Sequence, residues 1–484
     1  MGLDARYPAV RGVAPDETFP VYSEDGVVLD RTTGMNVTCF LPMRPGAPAC
    51  FRTPPWPPFT ENHRFALASD VFVLHQDHPI PHGIAMDRSR FVLADLGADQ
   101  GWRTDGRLRV VADVTGDGCG DIVAFGDDGV WVARGDGAGG FAPPTRVLED
   151  FGRDAGGWDL AAHPRFVVDV TGNRCADIVG FGDDGVWVAL ADGTGGFESP
   201  HLVLADFGRV GGGWDSTRHL RVLADLTGDG CADIVGFGQD SVWVALADGA
   251  GGFGPTRLGV PGGFAFDDGW RTDVHVRALA DLTGDGRPDI VGFGDDGVWV
   301  ASNDGSGHFG ERRFVLAEYG VNQGWSVATR PRLVADVSGD GRADLVGFRE
   351  DGVLIAPGDG SGGFGSPTLV LPFFGSATVP VAWDPVRHPR LAADLTGSGG
   401  ADLLGFAEDG AWALVLGTDG PLGPQLVVHD FGAEQAWRPE VHLRVAADLT
   451  GDGRADIVGF GDAGVWVSRN LGEGPRPPIV LSPA

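Results

Sequence analysis

Five stretches with the pattern Asp-x-[Thr/Ser]-Gly-Asp-Gly-x-x-Asp place carboxylates at their first, fifth and ninth positions. They are Asp113, Asp117 and Asp121; Asp225, Asp229 and Asp233; Asp281, Asp285 and Asp289; Asp336, Asp340 and Asp344; and Asp448, Asp452 and Asp456. A tight loop offering three carboxylates, a third-position hydroxyl such as Thr115 and a seventh-position backbone carbonyl suits a hard cation, Ca2+ above all. Gly118 and its equivalents permit the turn. The same residues also suit an Asx-type turn, in which Asp accepts bonds from backbone N–H groups. Repetition favours the metal reading, and the ion is predicted to be structural because no loop is paired with a nucleophile. Two related loops depart from the pattern. One carries Asn173 and Arg174, and the other carries Ser398-Gly399-Gly400 and is predicted to bind no metal.

Tryptophan is the second candidate for chemistry. Trp102, Trp158, Trp214, Trp270, Trp325, Trp383 and Trp437 recur at one position, and Trp131, Trp187, Trp243, Trp299, Trp412 and Trp466 at another. Five residues after the first kind comes His163, His219, His275, His388 or His442, with Arg107 and Arg330 in the two remaining places. Two residues further on, Arg is invariant, from Arg109 to Arg444. An indole packs on the apolar face of a pyranose while flanking polar groups bond its hydroxyls, so a shallow sugar pocket is one reading. Packing between structural units is the other, with Arg as a bidentate partner for a carboxylate across the interface.

Both sets of residues ride on one repeat. The phrase Asp-[Val/Leu]-[Thr/Ser]-Gly begins at Asp113, Asp169, Asp225, Asp281, Asp336, Asp394 and Asp448, a period of 54 to 58 residues. The second unit reads as four short strands, 163–170, 176–182, 186–190 and 201–208, rich in Val, Ile, Phe and Trp and bounded by Gly, Asp and Pro. No helix of ten residues fits between them. Four antiparallel strands at this period predict propeller blades, whose two apolar faces are buried by stacking around an axis. The fold class predicted is all-β: a seven-bladed β-propeller over 91–484, behind a Pro-rich, largely irregular N-terminal extension over 1–90. Closure is expected from 91–97 joining the C-terminal strands. A rival account makes 60–90 a degenerate eighth blade.

Composition narrows the function. The chain has 484 residues, with 36 Lys+Arg against 67 Asp+Glu and a formal charge of −31, and none of the cations is Lys. Nucleic acid and anionic membrane surfaces, which need basic partners, are excluded. No apolar run is long enough to span a bilayer as a helix. No secretory h-region is visible, so the expected location is cytoplasmic, or outside after release without a signal peptide. Cys119, Cys175 and Cys231 occupy equivalent positions and are not expected to bridge one another, whereas Cys39 and Cys50 lie close enough in sequence to pair or to stay reduced. G-x-S-x-G, H-E-x-x-H and a phosphate loop are all absent, and every candidate group is replicated, which argues against an enzyme.

The stretch GGWDSTRHLRVLADLTGDGCADIVGFGQDSVWVALADGAGGFGP (212–255) resembles the repeat of the Psathyrella velutina-type N-acetylglucosamine-binding fungal lectins, within the wider FG-GAP/VCBS repeats. The likeness extends over nearly all of 91–470. It implies a seven-bladed propeller, a few calcium ions, and terminal N-acetylglucosamine held between consecutive blades. The matching sugar-binding positions are Trp158, His163 and Trp187; Trp214, His219 and Trp243; and Trp270, His275 and Trp299. Glycans, glycoproteins or chitin-like oligosaccharides are the implied partners, bound at several weak sites at once. The fifth unit departs from the pattern, with Arg330 for His and Leu354 for the strand Trp, as does the first, with Arg107 for His. An FG-GAP-type protein-interaction or adhesion propeller without sugar binding is the alternative.

Overall fold

The computed structural model describes residues 83–378, 381–416 and 421–474, with the short strands Val37–Cys39, Cys50–Arg52, His63–Ala68, Val71–Gln76 and Val480–Leu481. Seven four-stranded antiparallel sheets follow one another in the unit Ile84–Gly472, and no α-helix occurs among the described residues. Blade 1 comprises Leu108–Ala112, Asp121–Gly126, Gly129–Ala133 and Thr145–Leu148. Blade 2 is Arg165–Val168, Asp177–Phe181, Val186–Ala189 and His201–Leu204, inside the limits expected for each strand. Blades 3 to 6 begin at Leu220, Arg277, Arg332 and Arg390.

Blade 7 takes its outer strand from the other end of the chain. Arg90–Leu93 pairs with Val465–Ser468, Phe91 opposite Trp466, as predicted for closure. The eighth-blade account fails. His63–Ala68 and Val71–Gln76 join Val480–Leu481 in a three-stranded sheet of a separate unit, whereas Gly83–Met86 pairs with Asn470–Gly474. Val480–Leu481 is therefore not an outer blade strand. Most of residues 1–60, read as part of the irregular Pro-rich extension, lies outside the described residues, as do residues 417–420 of blade 6.

The second strands, such as Asp177–Phe181, are buried throughout except at Arg349 of blade 5, because both faces of each sheet are covered. The apolar side chains gather at seams. In one cluster Val123 and Phe125 of blade 1 meet Phe151 and Trp158 of the linker and Ile178 of blade 2, and six further clusters each join the next two blades. Backbone bonds lace the seams near the axis: Ala176 N donates to Asp113 O at 2.8 Å, and Gly120 N to Asp448 O at 2.9 Å closes blade 1 on blade 7. At the blade 3–4 seam Pro288 has no N–H to give, and there the Asn303 side-chain amide donates to Leu226 O at 2.8 Å, as Asn470 does to Leu395 O at the blade 6–7 seam.

The invariant Arg is a seam clamp, and its partner is not a carboxylate. Arg277 stacks over the Phe237 ring of the preceding blade at 5.3 Å and donates to Phe264 O at 3.0 Å. The same stacking recurs at all seven seams, from Arg109 on Phe460 to Arg444 on Phe406. A quadrupole holds a desolvated guanidinium without a second buried charge. Burial without an acid partner pulls the Arg277 guanidinium down to about 10.

Candidate functional site: the niche between blades

Each linker wraps from the outer strand of one blade to the first strand of the next, and its anchor in the left-handed region is aromatic in six of the seven linkers, Leu96 being the other. Phe207 has φ 59° and is fully buried. Oδ1 of Asp206 accepts both the Phe207 N–H at 2.6 Å and the Trp214 indole N–H at 3.2 Å. Trp214 lies against Phe207, ring centroids 4.8 Å apart, and over Gly236 of the second strand. The linker indoles therefore belong mainly to the seam core: Trp158 and Trp214 are 6 % exposed, and Trp270 4 %. The strand indoles Trp187, Trp243 and Trp299 are only half-buried and stand on the solvent side.

The linker histidines are also buried, and both ring nitrogens are engaged. His163 Nδ1 accepts the Asp159 N–H at 3.0 Å, so the proton sits on Nε2, which lies 3.0 Å from Asp183 Oδ1. His219 repeats this with Asp215 N and Gln239 Oε1, and His275 with Arg271 N and Asp295 Oδ1. Each His thus orients a polar group twenty residues later, in the turn between the second and third strands. Sequence reasoning passed over that group: Asp127, Asp183, Gln239, Asp295, Glu350, Glu408 or Asp462. The signal was present in the phrase GFGDDG, which repeats with one amide among its acids.

At blade 3 these parts converge on an open cavity of about 300 Å³, lined by Trp214, His219 and Trp243 with Asp206, Gln239 and Asp240, and floored by the backbone of Gly212, Gly213 and Gly238. The blade 3 trio expected from the sequence is brought together here. An indole wall beside clustered amide, carboxylate and backbone groups suits a small polyhydroxylated ligand. No nucleophile aligned with a base lies among the lining residues.

The acidic loops are closed by their own hydrogen bonds. Asp113 Oδ1 accepts from Thr115 N and Gly116 N, and its Oδ2 from Gly118 N at 2.8 Å. The ninth-position Asp ties its own blade together: Asp121, 1 % exposed, accepts Val114 N at 3.0 Å and Gly135 N at 2.7 Å. Asp233, Asp289, Asp344 and Asp456 do the same in their blades. In three loops the fifth-position acid is paired inside the loop, Asp285 with Arg287, Asp340 with Arg342 and Asp452 with Arg454. There the fifth-position acid already has a cationic partner, so these loops fit Ca2+ less well than loops without one. Those of Asp113 and Asp225, with Cys119 and Cys231 at the seventh position, keep a hard-oxygen donor set without an internal cation. Among the described residues, no three His, Cys, Asp or Glu converge as a metal centre. Cys119, Cys175 and Cys231 are buried free thiols.

The FG-GAP-like repeat family matches residues 281–347. The solved structure of an Agrocybe aegerita lectin, described for its specific recognition of non-reducing terminal N-acetylglucosamine, is 40% identical with a TM-score of 0.70. The match covers 77% of this chain and 91% of that one. A Photorhabdus luminescens Tc holotoxin pore structure matches at 19% identity and a TM-score of 0.44, over 78% of this chain and 16% of that one. No curated protein matches.

Proposed function

This chain belongs to the family of the Agrocybe aegerita lectin, and from that premise we propose that it is a non-catalytic lectin for terminal N-acetylglucosamine-type glycans, bound in niches between blades. The observation that carries the proposal is the cavity of blade 3, where the Trp243 indole faces His219-oriented Gln239 and the carboxylates of Asp206 and Asp240. A pyranose set against Trp243 would bury its apolar face, and its hydroxyls would meet acceptors on the opposite side. The buried indole Trp214 shapes the floor, and His219 acts through Gln239.

The niches of blades 2 and 4 carry the same trio, Trp158, His163 and Trp187 and Trp270, His275 and Trp299, so binding is proposed at more than one seam. A glycoprotein or chitin-like oligosaccharide presenting several terminal residues would then gain from simultaneous contacts. Structural Ca2+ is proposed for the loops of Asp113 and Asp225. Asp113, Thr115 and Asp117, with their counterparts Asp225, Thr227 and Asp229, would hold it, and its role is to brace the loops near the axis.

Calorimetric titration with N-acetylglucosamine, run beside Trp243→Ala, tests the function. Saturable binding that weakens at least tenfold in the variant is expected, since stacking and area burial together contribute more than about 1.4 kcal/mol. Absence of binding by the intact protein would refute the proposal.

A further inference from the structure

The seven niches are not equivalent, and the difference lies in one position. Six of the seven turns place a carboxylate opposite the linker His or Arg, and blade 3 alone places an amide, Gln239. In five of the acid niches a guanidinium lies against that carboxylate. Arg107 bonds Asp127, Arg330 bonds Glu350 and Arg387 bonds Glu408, while Arg438 approaches Asp462 to 3.8 Å. At blade 2, Arg209 of the following linker grips Asp183 with both arms, at 2.7 and 2.9 Å. In blade 4, Asp295 has no Arg partner among the described residues, but Arg312 lies over the Trp299 ring at 4.6 Å and covers one face of that indole.

In blade 3 no guanidinium among the described residues bonds the turn residue: Arg218, at the position of Arg387, lies over Phe266 of the following linker at 5.0 Å. The residue corresponding to Arg312 is Thr256, Phe266 stands where the blade 2 niche has Arg209, and the next residue, Asp267, turns an acid toward Gln239. The orientation of the amide is set by its partners. His219 accepts at Nδ1 and so donates from Nε2 to Gln239 Oε1 at 3.2 Å, which turns the Gln239 NH2 toward Asp267 Oδ1. An NH2 group has two protons and Asp267 takes one. The second is available to the cavity that Gln239 lines. An ionised carboxylate at this position only accepts, so among the seven turn residues Gln239 alone can itself donate to its niche.

We propose that Gln239 makes the blade 3 niche the discriminating sugar site of the ring, donating an amide N–H to an acceptor-only group of the ligand, the acetamido carbonyl of an N-acetylhexosamine. This rests on the lectin reading of the same cavity. The other niches, closed by guanidinium groups, bind more weakly and contribute through multivalency.

The test is 19F NMR of protein labelled with 5-fluorotryptophan, with the Trp243 resonance identified by its loss in Trp243→Phe. N-acetylglucosamine is the titrant, and glucose, which lacks the acetamido group, is the comparison. Trp243 is expected to respond at sugar concentrations about tenfold below those that move any other indole, and about tenfold below those of glucose, the scale of one net hydrogen bond. Gln239→Asp is expected to erase both margins and leave the other indoles unchanged. Asp is already the residue at the matching place of four blades, so the fold tolerates it. The reciprocal Asp183→Gln with Arg209→Phe and Val210→Asp is expected to strengthen the Trp187 response. If indoles respond to N-acetylglucosamine but Trp243 does so no earlier than the rest, or ignores Gln239→Asp, this inference is overturned while the lectin reading stands. If no indole responds at all, the lectin reading falls and takes this one with it.

Discussion

A methyl group added at Gly236 would lie 2.3 Å from Trp214 Cη2 and 2.6 Å from Phe207 Cε1. Contact distance between carbons is about 3.5–4.0 Å, so one ring or the strand must move. Both rings are packed in the seam core, where such overpacking costs about 1–3 kcal/mol. The protein itself holds the control. Blade 1 carries Ala124 in place of this glycine, and its left-handed anchor is Leu96 instead of an aromatic residue, with Trp102 completing the same cluster. Space for the methyl is made by removing ring carbons. Gly236→Ala alone is expected to lower the urea midpoint and weaken N-acetylglucosamine binding, because Trp214 lines the cavity. Phe207→Leu alone costs about 1–2 kcal/mol through lost burial. The double variant is expected to recover at least about 1 kcal/mol of the summed loss, within the coupling range of contacting residues. The assay is urea unfolding followed by Trp emission on all four proteins. Strict additivity, or an unperturbed Gly236→Ala midpoint, would refute the steric account of the glycine.

Three other outcomes follow from the same geometry. Burial pushes the carboxyls of Asp177, Asp233, Asp289, Asp402 and Asp456 up to about 6, against about 3.9 in an unfolded chain. The folded state therefore binds more protons between those values, and the stabilisation is complete below about pH 4 and lost as pH rises through 6. The thermal midpoint is expected to be higher at pH 5 than at pH 7.5, and a flat or reversed profile would contradict the assignment. Arg277→Lys removes the planar stack on Phe237 and the bond to Phe264 O, at a cost of about 1–3 kcal/mol read as a lower urea midpoint. Chelation by EGTA is expected to lower the thermal midpoint of a calcium-loaded sample, by up to about 2.7 kcal/mol of stability if Ca2+ stood at a hundred times its dissociation constant. Asp117→Asn with Asp229→Asn should abolish that response.

Much of this architecture was legible in the chain itself. A period of 54 to 58 residues, strands too short and too close for helices, and Gly-Asp punctuation led to seven sheets, and the motif at Arg90–Leu93 led to the closing strand. The convergence of Trp214, His219 and Trp243 was expected on resemblance and appears as one cavity. The partner of the invariant Arg was not legible. A lone positive charge in sequence suggests an acid, whereas the partner found is the Phe ring of GFG, some forty residues earlier in the preceding blade. Nor did spacing separate the ninth Asp from the first and fifth, since all three look alike until Gly135 N and Val114 N come to face Asp121.

Local pattern is sufficient for strand, turn and repeat because those depend on residues within a few positions of one another. Which indole becomes core and which becomes wall depends on the face another blade covers: Trp214 is sealed by Phe207 and Gly236, while Trp243 is left half-open. The same holds for the inequality of the niches, where Arg209, Arg312 and Asp267 act on residues 13 to 28 positions away. Repetition in the chain made seven similar places, and the side chains that folding brought across each seam made one of them different.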